Sequence, residues 1–259
     1  MDTSTPLPLL LMLFGLGSDV LSEQRRLRAI RAIDSYLVRR ALLGLTNRDY
    51  NNLFRDLVVA ASQRPESADD AIIEALSRVQ GHHRRWPGDD EFCTALQEAP
   101  LYTQLQRRHV RILLEGLEDE LRTGHTEQLT TPIGERVASK LTIEHVMPQS
   151  WADNWPLLEN DPSEGENREV VVHTLGNLTL LTDRLNPAVG NMGWKEKRDA
   201  LGRHSLLRLT TGSILNAPPG SETEDWADSW DEHRIAERSQ HLAGVAMEIW
   251  PSAATLREG

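Results

Sequence analysis

The stretch LTIEHVMPQSW, residues 141–151, decides how this chain is read. Lys140 to Val146 is short and rich in β-branched side chains, which predicts a strand, and that strand ends on the pair Glu144-His145. Downstream, Glu169 to His173 carries Val170-Val171-Val172 and predicts a second extended run. Gly176-Asn177 then turns the chain, Leu178 to Leu181 is apolar, Asn186-Pro187 breaks it, and Trp194 to Leu201 reads as a short basic helix. The order is strand, loop, strand, turn, helix.

On either side the spacing is helical. From Ser22 to about Leu121 apolar residues recur at three and four, as in Leu27, Ile30, Ile33, Tyr36, Leu37 and again in Leu53, Phe54, Leu57, Val58. Asn47 or Thr46 can cap a helix over Tyr50 to Ala61, Pro65 and Ser67 break before Asp69 to Gln80, and Trp86 to Asp89 is a turn. A further helix runs from Leu101 to Arg122 and ends at Gly124, and helical spacing returns from Trp226 to Trp250. The predicted fold is mainly α within an α+β class: a helical array (1–125), an embedded strand-strand-helix unit (126–215), and an acidic C-terminal helical segment (216–259) packing on the body.

Composition removes several alternatives. Hydrophobic residues at 39% and charged residues at 26% fit a globular chain and exclude collagen, coiled-coil arrays and disorder. Seven of the thirteen aromatics are Trp, so Trp should mark packing centres. Cys93 stands alone, which excludes an intrachain disulfide and a thiolate zinc cage. The apolar run Pro6 to Leu16 is too short to span a bilayer and, with Asp2 before it, makes a poor signal peptide. It reads as a buried first helix, or as a surface once packed on a domain this chain lacks, and a cytoplasmic protein without membrane association is the expectation.

The net charge of −11 opposes a general grip on nucleic acid, but its distribution matters more than its sum. Pro218 to Gly259 carries −6, whereas Asp183 to Arg208 carries +3. A second basic run, Arg25 to Arg48, reads as a solvated face rather than a second DNA track.

A carboxylate beside a histidine at a strand end can put the acid on a hard divalent cation while the imidazole activates water, the division of labour in metal-assisted phosphodiester hydrolysis. Asn186 can add a neutral oxygen to the same cation, leaving water and phosphate oxygens to complete the octahedron that magnesium prefers. His173 is a phosphate contact or a structural hydrogen bond. Asn191, Lys195 and Lys197 contact the scissile strand or form an ordinary solvated helix face. Asn177 after Gly176 also reads as a plain turn residue, and Asn186 before Pro187 as a loop breaker. Trp151, Trp155 and Trp194 pack around the unit, Trp226, Trp230 and Trp250 read as core, and His82-His83 with His109 as surface residues rather than a metal site.

Together EHVMPQSW, HTLGNLTLL (173–181) and NPAVGNMGWKEKR (186–198), with Asn177 and Asn186 nine apart, resemble the HNH, or ββα-metal, nucleases. More narrowly they resemble the C-terminal nuclease domain of GmrSD-type modification-dependent restriction enzymes, a group that includes SspE-like phage-defence proteins. The likeness covers roughly Leu141 to Arg198, and SYLVRRALLGLTNRDYNNLF (35–54) adds a weaker one through Tyr36, Arg39, Arg40 and Tyr50. The resemblance implies a ββα-metal finger with His145 as general base, Glu144 and Asn186 as ligands of Mg2+ or Mn2+, and Asn177 fixing the loop that carries the histidine. It implies a DNA-nicking endonuclease of a restriction or phage-defence system, gripping the phosphate backbone with little base specificity. It also implies a nucleotide-binding partner domain, whose Asp-Gly-Gln-Gln-Arg signature is absent here. The competing expectation is a catalytically silent DNA-binding or regulatory module that docks such a domain.

Overall fold

The computed structural model describes residues 4–78, 84–123, 141–157, 162–182 and 190–258. The chain divides into two units, residues 1–92 with 247–259, and residues 93–246.

The periodicity of the first unit resolves into α1 (Leu7–Gly15), α2 (Glu23–Leu42), α3 (Tyr50–Gln63) and α4 (Ala68–Arg78). The Ser22 hydroxyl opens α2 by accepting from the Arg25 amide at 3.3 Å, satisfying one of the donors a helix start leaves free. Tyr36, Phe54, Leu57 and Ile72 meet in a core with Leu9 and Leu13 of α1. The first helix is only half-buried, however, because Leu7, Leu11 and Phe14 are each more than half exposed. The basic run of α2 is not the solvated face expected of it. Arg25 and Arg28 pair with Asp69 and Asp70, Arg26 donates to the carbonyls of Leu13, Leu16 and Leu21, and Arg39 and Arg40 are fully buried. These guanidiniums bond carbonyls and acids inside the unit, which is how buried charge is tolerated.

The second unit contains α6 (Leu101–Gln104) and α7 (Arg107–Thr123), after α5 (Asp89–Glu98), which straddles the boundary between the units. Then follow β1 (Leu141–His145), α8 (Pro162–Val171), β2 (Leu178–Thr182), α9 (Trp194–His204), α10 (Arg208–Thr211) and α11 (Glu232–Ile249), whose last residues also pass the boundary, and α12 (Ala253–Glu258) closes the first unit. Among the described residues the structure is thus mainly helical with one two-stranded antiparallel sheet, in which Glu144 faces Thr179 and His145 faces Leu178. No helix among them is long and apolar enough to cross a membrane.

Three expectations are corrected. The valine run is not a strand: it closes the helix α8, and the partner of β1 is LTLLT. That helix opens at Pro162, a residue type whose fixed φ suits a first turn, and of the three valines only Val172 is fully buried. The helix over Leu101 to Arg122 is broken at Leu105, which is extended (φ −108°, ψ 158°). The last long helix starts at Glu232 rather than Trp226, because Asp231 caps it, its Oδ1 accepting from the Arg234 amide at 3.0 Å.

The tryptophans pack as expected. Trp155, Trp226 and Trp230 are buried with Val146, Leu181 and Ile235, and Trp194 stacks on Trp230 at 5.6 Å. Buried Glu118 of α7 accepts from the Arg208 and Leu209 amides that open α10, at 3.0 and 2.9 Å, tying these helices together.

Candidate nuclease site

β1 delivers Glu144 and His145 at its end, and both are buried, at 8% and 5% exposure. Asn177, fully buried in the turn before β2, holds the chain that leaves β1. Its Oδ1 accepts from the Met147 amide at 2.8 Å and from Trp230 Nε1 at 3.1 Å, while its Nδ2 donates to the carbonyls of Met147 and Val172, each at 2.8 Å. Every polar valence of this amide is therefore used. Gly176 beside it passes so close to α11 that a Cβ would sit 1.9 Å from the Ile235 carbonyl oxygen, so no side chain fits there. Its amide donates to Ser239 Oγ at 2.8 Å. Fully buried Arg238 donates to the carbonyls of Gly176 and Leu178 at 2.7 and 2.8 Å, and burial pulls its guanidinium down to about 9.

His173 follows the end of α8 and reaches His145, with Nδ1 3.3 Å from His145 Nε2. On the other side of the ring, Gln149 Nε2 lies 3.5 Å from His145 Nδ1. With the Gln149 amide nitrogen turned to the ring, Nε2 carries the hydrogen toward His173 and the lone pair sits on Nδ1. Burial, aided by the charges of His173, Lys197 and Arg107, pulls the His145 imidazole down to about 3, which keeps it neutral near pH 7. Burial lowers His173 as well.

Lys197, an expected phosphate contact, is not available to one. It is fully buried, and its Nζ donates to Glu144 Oε1 and the His145 carbonyl at 2.6 Å each and to the Gly190 carbonyl at 2.9 Å, which uses all three hydrogens. Burial pushes the Glu144 carboxyl up and the Lys197 ammonium down, and each group opposes the other's shift. Lys197→Met should cost about 3 kcal/mol, because removing one partner strands a buried charge. Urea unfolding measures this, and a loss under about 1 kcal/mol, the scale of an exposed pair, would show that the pair is not buried as described.

Lys195 is exposed on α9 and Asn191 is exposed before it, its carbonyl accepting from Asn154 at 2.7 Å. Neither meets the group around His145. Asn186 and the His82-His83 pair lie outside the described residues. Among the described residues no cluster of three or more His, Cys, Asp or Glu could hold a metal. Glu144 offers one hard oxygen: Oε1 is taken by Lys197, and Oε2 accepts no hydrogen bond from the described residues. A carboxylate oxygen of that kind fits a hard cation such as magnesium or manganese rather than a softer one.

Besides Gln149, sequence reasoning missed two members of this group. The Tyr102 ring meets that of His145 edge-on at 4.3 Å and lies parallel to that of His173 at 5.7 Å, and the Tyr102 amide donates to the His173 carbonyl at 3.1 Å. Arg107 places its guanidinium carbon 3.3 Å from the centre of the Tyr102 ring. In one unbroken helix residues five apart lie on different faces, so the break at Leu105 is what brings them together. The local signals were Pro100 ahead of Tyr102 and a basic pair, Arg107-Arg108, in a helical turn without acids.

Compared with known families, the chain matches the profile described as GmrSD restriction endonucleases, C-terminal domain, over residues 86–245. Neither curated proteins nor solved structures give a significant match.

Proposed function

Because the chain belongs to the family of GmrSD restriction endonuclease C-terminal domains, we propose that it cuts DNA one strand at a time with magnesium or manganese, as the effector of a restriction or phage-defence system. Membership itself makes it a restriction-system nuclease with DNA as its substrate. The observation that carries the finer reading is His145, a neutral imidazole at a strand end beside an acid, oriented on both ring nitrogens.

In this reading the Gln149 amide, 3.5 Å from Nδ1 of His145, gives way to the attacking water, Nδ1 takes that water's proton, and His173 holds the ring by accepting from Nε2. Glu144 and Asn186 would hold the cation, which when bound supplies charge stabilisation for the phosphate and the departing 3′-oxygen. Lys197 fixes the Glu144 carboxylate, and Asn177 fixes Met147 and with it the backbone that carries His145. Lys195 and Asn191 remain as proposed backbone contacts, and half-buried His173 bonds the His145 ring. Base selectivity would be small, because phosphate contacts carry no sequence information. The nucleotide-binding partner domain remains part of the proposal through the family resemblance.

Supercoiled plasmid tests this directly. Nicked circles should accumulate before linear DNA when Mg2+ or Mn2+ is present, and EDTA should stop both. Linear product appearing first would overturn one-strand cutting, and plasmid left intact with either metal would overturn the nuclease reading.

A further inference from the structure

We propose that Arg107, held flat on Tyr102, grips the scissile phosphate beside His145. This rests on the nuclease reading above and adds to it the group that meets the phosphate oxygens. The buried cation of the site is not available to a phosphate, since all three hydrogens of Lys197 are spent on Glu144, the His145 carbonyl and the Gly190 carbonyl. Arg107 differs from its neighbours on α7. Arg111 pairs with Glu115 and Arg122 with Glu118, whereas Arg107 is exposed and has no acid partner among the described residues.

At 3.3 Å from the ring centre a guanidinium can only lie flat, since an edge-on approach would drive its nitrogens into the ring. Lying flat, it keeps its N–H groups in the plane and free for a two-pronged contact with phosphate. The same ring touches His145 and runs parallel to His173, so one aromatic sets the distance between the cation and the proposed base. Tyr102 is thus a positioning residue. Its amide bond to the His173 carbonyl fixes its own place.

The test uses the full chain. In a His145→Ala background with EDTA, binding of a fluorescent DNA duplex of about 20 base pairs is followed by anisotropy over a KCl series. Adding Arg107→Ala should flatten the log-log salt slope by about 0.9, the value for one phosphate. With metal and His145 intact, Arg107→Ala should slow cleavage roughly 100-fold, as expected for losing a donor to developing charge, and Arg107→Lys should recover only part of it. Tyr102→Leu should reproduce the Arg107→Ala loss in kcat, and Tyr102→Phe should restore most of it. An unchanged slope together with cleavage within about threefold of wild type overturns the role of Arg107 while leaving the nuclease reading standing. If wild type does not cut, the nuclease reading falls, and the salt slope alone decides whether Arg107 meets a phosphate.

Discussion

His145→Ala should slow cleavage of supercoiled DNA by ~100-fold or more, the usual contribution of a general base, while duplex binding changes little. The imidazole is neutral because it is buried, and its lone pair is on Nδ1, where the amide of Gln149, at 3.5 Å, must give way to the attacking water. A variant that kept more than about a tenth of the wild-type rate would remove His145 from the chemistry. Stability carries a second signature. The folded-state pKa lies below the unfolded one, so the histidine's contribution is fully present above about pH 6.5 and is lost as the pH falls toward about 3. Wild type should therefore lose more stability than His145→Ala between about pH 7 and pH 5. Equal losses would mean that the ring is not buried in its neutral form.

Asn177→Ala should destabilise the chain by about 4 kcal/mol, since each buried group left unpaired costs ~1–3 kcal/mol and four lose their partner at once. The Met147 amide, Trp230 Nε1 and the carbonyls of Met147 and Val172 all depend on this one side chain. Asn177→Asp should be no better, because it turns two donors into acceptors facing carbonyls. Cleavage should disappear with the fold at about 37 °C and return in part at low temperature. A midpoint of urea unfolding unchanged from wild type would show that Asn177 is an ordinary turn residue.

What can be read from the sequence is what depends on neighbours along the chain. LTIEH is a strand because its side chains favour one locally, and the helices of the first unit follow from periodicity that tertiary packing reinforces. The valine run misleads because β preference expresses packing on a sheet, and here Val170 stands nearly half exposed on a helix instead. Lys197 misleads for a different reason. WKEKR looks like a solvated helix start, and nothing in it announces that its second lysine meets a carboxylate 53 positions earlier. Tyr102 and Arg107 are marked in the sequence only by Pro100 and a basic pair, because a helix break, not a motif, puts them beside the histidines. Asn177 is legible as a turn, but its four bonds come from three separate parts of the chain.

The turn that carries Asn177 is clasped by residues made much later. Trp230 completes the Asn177 amide, and Arg238 and Ser239 hold the Gly176 backbone. A nascent chain that has released both strands has therefore not yet acquired the groups that set the histidine in place, and domains fold as units during synthesis. The order of translation leaves the group around His145 unbraced until residues 230–239 are made, so a polypeptide interrupted before residue 230 would carry the histidine without the brace that aims it.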